Sequence, residues 1–138
     1  MLYEKTDFRG MDLSIIDKAD IATIDVFFIS VTKLIFKLSE ITNLKEIVCL
    51  IKPQFECGKG IADKYKGVIL NRSIHADVID NIINEFQKSR FTCRSLTSSP
   101  IRGGNGNIEY LAYFKKNSSS ININSKILVK ETLIILKK

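Results

Sequence analysis

The chain has 138 residues, the length of one ordinary domain and enough to bury a core. Apolar residues make up 45% and charged residues 26%, which excludes a disordered chain. Lys and Arg number 21 against 15 Asp and Glu, a formal charge of +6 with a pI near 9.3. That balance suits a polyanion such as RNA or an anionic membrane surface, and equally an ordinary basic soluble protein. The three cysteines lack CxxC or metal-ligand spacing, and their odd number argues against a disulfide framework. A single histidine, His75, excludes a multi-histidine zinc site, so no metal is expected. MLYEKTDFRG is charged where a secretory signal needs an apolar core. The longest apolar stretch, IATIDVFFISV, is broken by Asp25 and too short to span a bilayer. The expectation is a cytoplasmic protein without a membrane segment.

In chain order, Asp20 to Phe28 is a short run rich in β-branched and aromatic residues and predicts a buried strand, with Phe27 and Phe28 as core residues. Val31, Leu34, Ile35 and Leu38 then fall on one helical face, with Ser30 as the expected N-cap. Glu46 to Ile51 predicts a second buried strand, stopped by Pro53. A Lys/Gly-rich connection from Gln54 to Arg72 follows. Ser73 is expected to cap a second helix whose stripe is Ile74, Val78, Ile79, Ile82, Ile83 and Phe86. Phe91 to Leu96 predicts a third strand, the turn-rich Ser98 to Asn107 a loop, and Ile108 to Phe114 a fourth strand. KKNSSSININ is a polar linker, and Lys126 to Lys138 predicts a short helix.

Strands alternating with helices predict an α/β fold, in which parallel strands carry their carboxyl ends along one ligand-binding edge. Asp25 falls near the end of the first strand and Lys52 at the end of the second. If the third and fourth strands pair antiparallel, the fourth returns Glu109 to the same edge, and the three charges converge. Each has a plainer alternative: Asp25 could cap the helix after it, Lys52 could be a solvated strand end, and Glu109 could guard an edge strand. His75, in a first helical turn, is expected to be structural.

The strings IDVFFIS-x-TK, LIKPQFE-x-GK, KGV and SPI-x-G-x-x-GN-x-EYL resemble the hemolysin A (TlyA) family, whose members resemble FtsJ-like ribosomal RNA 2′-O-methyltransferases. The resemblance runs from about Glu4 to Lys116. It implies the rear portion of a Rossmann-like methyltransferase sheet, with parallel strands and an antiparallel terminal strand pair, over residues 1–116. A polar linker and short helix occupy 117–138. It further implies a Lys-Asp-Lys-Glu catalytic tetrad, three members of which fall on Asp25, Lys52 and Glu109. TDFR resembles the segment whose Asp contacts the cofactor adenine, so Asp7 and Asp25 are the implied S-adenosylmethionine contacts. In this family an S4-like RNA-binding domain, the first tetrad lysine and a glycine-rich cofactor turn would precede Met1. Phe27 stands where the family carries Ser, and Leu70 and Asn71 stand where it carries Arg-Asp.

The implied reaction is methyl transfer to a ribose 2′-hydroxyl of ribosomal RNA. A hydroxyl of high pKa needs help sharing its proton, and a lysine whose own pKa is lowered can give it. Lys52 is the expected base, Asp25 would orient and charge-balance it, and Glu109 would position Lys52 or the ribose. Lys59, Lys64, Lys66 and Arg102 form an expected RNA-facing rim, or else a solvated surface. The expected partners are ribosomal RNA and either a second copy or a separate front-half chain. The alternative is an inactive remnant, or one piece of a split enzyme with residual RNA binding.

Overall fold

The computed structural model describes residues 2–135. Its elements are β1 (Ile21–Ile24), α1 (Thr32–Ser39), β2 (Glu46–Ile51), α2 (Pro53–Glu56), α3 (Lys59–Lys64), α4 (Arg72–Lys88), β3 (Phe91–Ser98), β4 (Tyr110–Lys116) and α5 (Ser125–Ile135). Two short 3-10 turns, Phe8–Gly10 and Leu13–Ile15, precede β1. The four strands form one sheet in the order β1-β2-β4-β3. β1 and β2 run parallel, and β4 runs antiparallel to both β2 and β3. The chain is therefore α/β with a parallel pair and an antiparallel terminal pair.

Alternation decides which face of the sheet is covered. Ile47, Cys49 and Ile51 of β2 and Tyr110, Ala112 and Phe114 of β4 are buried, while the residues between them are half-buried or exposed. The stripe Leu34, Ile35 and Leu38 of α1 joins the same core cluster as Val78, Ile79, Ile82 and Phe86 of α4. Phe86 stacks on Phe114 with centroids 4.0 Å apart and meets Phe91 edge-on at 6.5 Å. A truncation of Phe86 to Ala at such a site costs roughly 3–5 kcal/mol.

Several local expectations change. β1 ends at Ile24, four residues short of the expected strand, and Phe28 turns to a φ of +58°. The chain thus leaves the sheet, and Phe27 and Phe28 are 63% and 89% exposed rather than core residues. The N-cap of α1 is Val31, although Ser30 Oγ still accepts from the Thr32 N–H. Asn71, not Ser73, caps α4, accepting from the Ser73 and Ile74 N–H groups at 2.9 and 3.3 Å. The helix already begins at Arg72, so Ser73 lies inside its first turn and Asn71 holds the cap position. The connection after Pro53 holds two short helices, α2 and α3, rather than a plain loop; Pro53 opens α2, where its missing N–H costs nothing. The C-terminal helix starts at Ser125, and the expected residues beyond Ile135 lie outside the described part.

Candidate active site

Register brings the strand ends together. Ile24 pairs with Cys49 and Ile51 with Tyr110, so Asp25, Lys52 and Glu109 follow or precede the last paired residues at one edge of the sheet. The Lys52 side chain is 5% exposed, and its Nζ lies 2.5 Å from Asp25 Oδ1. The same Nζ sits 3.5 Å from the centre of the Phe27 ring and 6.0 Å from that of Phe55. A buried ammonium needs such partners, because desolvation without them is very costly.

Glu109 is buried too, but its partner is not Lys52. The hydrogen bond it accepts comes instead from a neighbouring amide. The first turn of α2 places Gln54 beside it, and Gln54 Nε2 donates to Glu109 Oε1 at 2.9 Å. On the other side stands Gly103: a Cβ there would meet Glu109 Cδ at 2.5 Å and Cγ at 3.2 Å. Glu109 is therefore gripped in a slot only as wide as a glycine allows. The Gln54 Oε1 is buried without a protein partner. Neither Gln54 nor Gly103 was singled out from sequence, although both stand inside the motifs LIKPQFE and SPIRGGNGNIEYL.

The loop before β4 is shaped by one side chain. Asn107 Oδ1 accepts from the Ile69 N–H at 3.0 Å, while its Nδ2 donates to the carbonyls of Gly67 and Gly104 at 2.8 and 3.0 Å. Asn107 so ties the loop carrying Arg102 to the segment that follows α3. His75 is fully buried; its ring bridges the Tyr110 hydroxyl at 2.7 Å and the Ile69 carbonyl at 2.8 Å. Burial holds its pKa below the usual value against the opposing pull of the Ile69 carbonyl. This is the structural role expected of it. Glu56 accepts from the Val31 N–H at 2.8 Å and so fastens the start of α1 to α2. Burial raises its carboxyl above the usual range, an effect offset in part by hydrogen bonds from Ser30 and Val31.

Asp7 spends its carboxylate within its own turn, capping Phe8–Gly10 and pairing with Arg9 at 2.5 Å. Hydrogen bonds from Arg9 pull its pKa down to about 2. An apolar groove of about 350 Å³ runs beside β1, walled by Phe8, Ile16, Ala22, Ile24 and Val26, with Asp25 at its polar end. Among the described residues lining it, Asp25 is the one charged side chain. The groove thus offers an apolar wall and a single carboxylate. Lys59, Lys64, Lys66 and Arg102 are all exposed, and the first two lie on α3. Among the described residues no group of three or more His, Cys, Asp or Glu could hold a metal ion, and no helix is long and apolar enough to cross a membrane.

Known proteins resemble the chain as a whole. Hemolysin A of Brachyspira hyodysenteriae is 44% identical over 93 residues, covering 65% of this chain and 38% of its own length. The 23S rRNA (cytidine-2′-O)-methyltransferase TlyA of Campylobacter jejuni is 34% identical over 117 residues, covering 85% of this chain and 45% of its own. A solved hemolysin-like protein of Lactococcus lactis superposes with a TM-score of 0.87 at 29% identity, over 96% of this chain and 66% of that one. The chain thus spans 38–45% of the length of these curated relatives. The FtsJ-like methyltransferase family model matches residues 1–116, and the chain belongs to that family.

Proposed function

We propose that this chain carries the catalytic edge of an S-adenosylmethionine-dependent enzyme that methylates a ribose 2′-hydroxyl of ribosomal RNA. The observation that carries this reading is the buried Lys52 paired to Asp25 at 2.5 Å, with Glu109 held by Gln54 at the same sheet edge. The relatives' names supply the substrate class. S-adenosylmethionine would supply an electrophilic methyl group, and the β1 groove with Asp25 at its end is where this chain would meet it. Asp7, turned toward Arg9 here, would have to exchange that partner to reach an adenine.

Lys52 takes up the proton that the 2′-hydroxyl releases, and a lysine does this as the free amine. Asp25 holds the Nζ in place and balances the charge once the proton has arrived. Glu109, fixed between Gln54 and Gly103, accepts a hydrogen bond from the ribose rather than from Lys52. The work of the protein is alignment. Lys59, Lys64, Lys66 and Arg102 form a phosphate-facing rim, since Asn107 fastens their two segments together. The outer edge of β1 bears no partner strand among the described residues, and Ile21 beside it is 50% exposed. That edge is a pairing edge for a front-half chain, and in its absence for a second copy.

The test is Lys52→Ala in an enzyme able to methylate ribosomal RNA. Turnover should fall by orders of magnitude while RNA affinity changes little. Unchanged turnover would move the chemistry elsewhere. If the chain is instead one piece of a split enzyme, activity should appear only when the missing half is added.

A further inference from the structure

We propose that Phe27 is a positioning residue for Lys52, its aromatic face and the Asp25 carboxylate holding the Nζ from two sides. This rests on Lys52 being the acting group of the site. The Nζ lies 3.5 Å from the Phe27 ring centre, well inside the distance at which an aromatic face attracts an ammonium. Phe55 backs the arrangement, its ring 6.2 Å from that of Phe27 and its own centre 6.0 Å from the Nζ.

Burial shows what the ring does. The Lys52 side chain is 5% exposed, yet the Asp25 side chain is 57% exposed and Phe27 is 63% exposed. A well-buried charge is thus covered on one side by two residues that themselves face solvent. Both lie on the short segment where the chain leaves β1, ahead of the left-handed turn at Phe28 with its φ of +58°. A serine at position 27, the residue the resemblance leads one to expect, has no ring with which to form either the attraction or the cover.

The experiment is competitive trace acetylation of the 138-residue chain, with Lys52 read by mass spectrometry against Lys88, whose side chain is 70% exposed. Phe27→Ser should raise the relative rate at Lys52 about tenfold, the change that roughly 1.4 kcal/mol corresponds to and within the range of a desolvated cation–π contact. Phe27→Tyr should keep the original rate, because it keeps the aromatic face. Phe27→Leu should follow Ser rather than Tyr. A Ser variant labelled as slowly as the parent overturns the proposal. A Leu variant labelled as slowly as the parent also overturns it, since the side chain would then act as an inert cover. Because the side chain is largely exposed, these variants should fold, which circular dichroism checks. The readout needs no methyl transfer, so a failure of the catalytic assignment of Lys52 would show in turnover and leave the labelling ratio as it is.

Discussion

Gly103→Ala is the sharpest test of how the site is built. The added Cβ would fall within 2.5 Å of Glu109 Cδ and closer still to its Oε1, so the carboxylate must turn away. Turning breaks the 2.9 Å bond from Gln54 Nε2, in a place where Glu109 is 6% exposed and Gln54 8% exposed. Losing a buried hydrogen bond to a carboxylate costs about 1.5–3 kcal/mol, and the overpacking adds about 1 kcal/mol or more. Gly103→Ala should therefore destabilise the fold by about 2–4 kcal/mol in urea unfolding. Gly104→Ala is the control, since nothing lies within 4 Å of a Cβ built there; its cost should stay below about 0.5 kcal/mol. A double-mutant cycle isolates the contact: in a Glu109→Ala background most of the Gly103→Ala cost should vanish. If Gly103→Ala is as mild as Gly104→Ala, or if its cost survives removal of Glu109, the slot does not hold the carboxylate and the reasoning fails.

Three further outcomes are expected. His75 has a lowered pKa in the fold, so the unfolded chain binds the extra proton first. Stability is then complete above about pH 6.5 and declines as pH falls below it. Urea midpoints should show this slope, and His75→Phe should lose it; Glu56, raised by burial, acts with the opposite sign and makes that variant the needed control. Neutralising Lys59, Lys64, Lys66 and Arg102 together should flatten the slope of log RNA affinity against log salt by roughly 3 units, at about 0.7–0.9 per phosphate contact; an unchanged slope would make them solubilising charges. The 138-residue polypeptide by itself should bind S-adenosylmethionine weakly and self-associate through β1, and low-micromolar binding by calorimetry or a monodisperse monomer in concentrated light scattering would contradict these two expectations.

What the sequence determined by itself is what is local or periodic. The stripes of α1 and α4 and the alternation in β2 are legible because burial repeats at 3.6 or 2 residues, and their predicted core residues are buried except Ile74 and Ile83, which are half-buried against the core. The family resemblance marked Asp25, Lys52 and Glu109, and strand order alone already placed them on one edge. Tertiary structure decided the partners. That Glu109 bonds Gln54 rather than Lys52 depends on the direction in which α2 leaves β2, and no spacing encodes that. That a Cβ at Gly103 would meet the Glu109 carboxylate depends on that side chain arriving just ahead of β4, six residues later. Phe27 and Phe28 looked like strand core because their composition is that of a strand. The left-handed turn at Phe28 sent them outward, and only in space does Phe27 find the Lys52 ammonium. Hydrophobic patterning specifies which side of an element is buried, whereas contacts between polar groups far apart in the chain are set by where packing brings the ends of those elements.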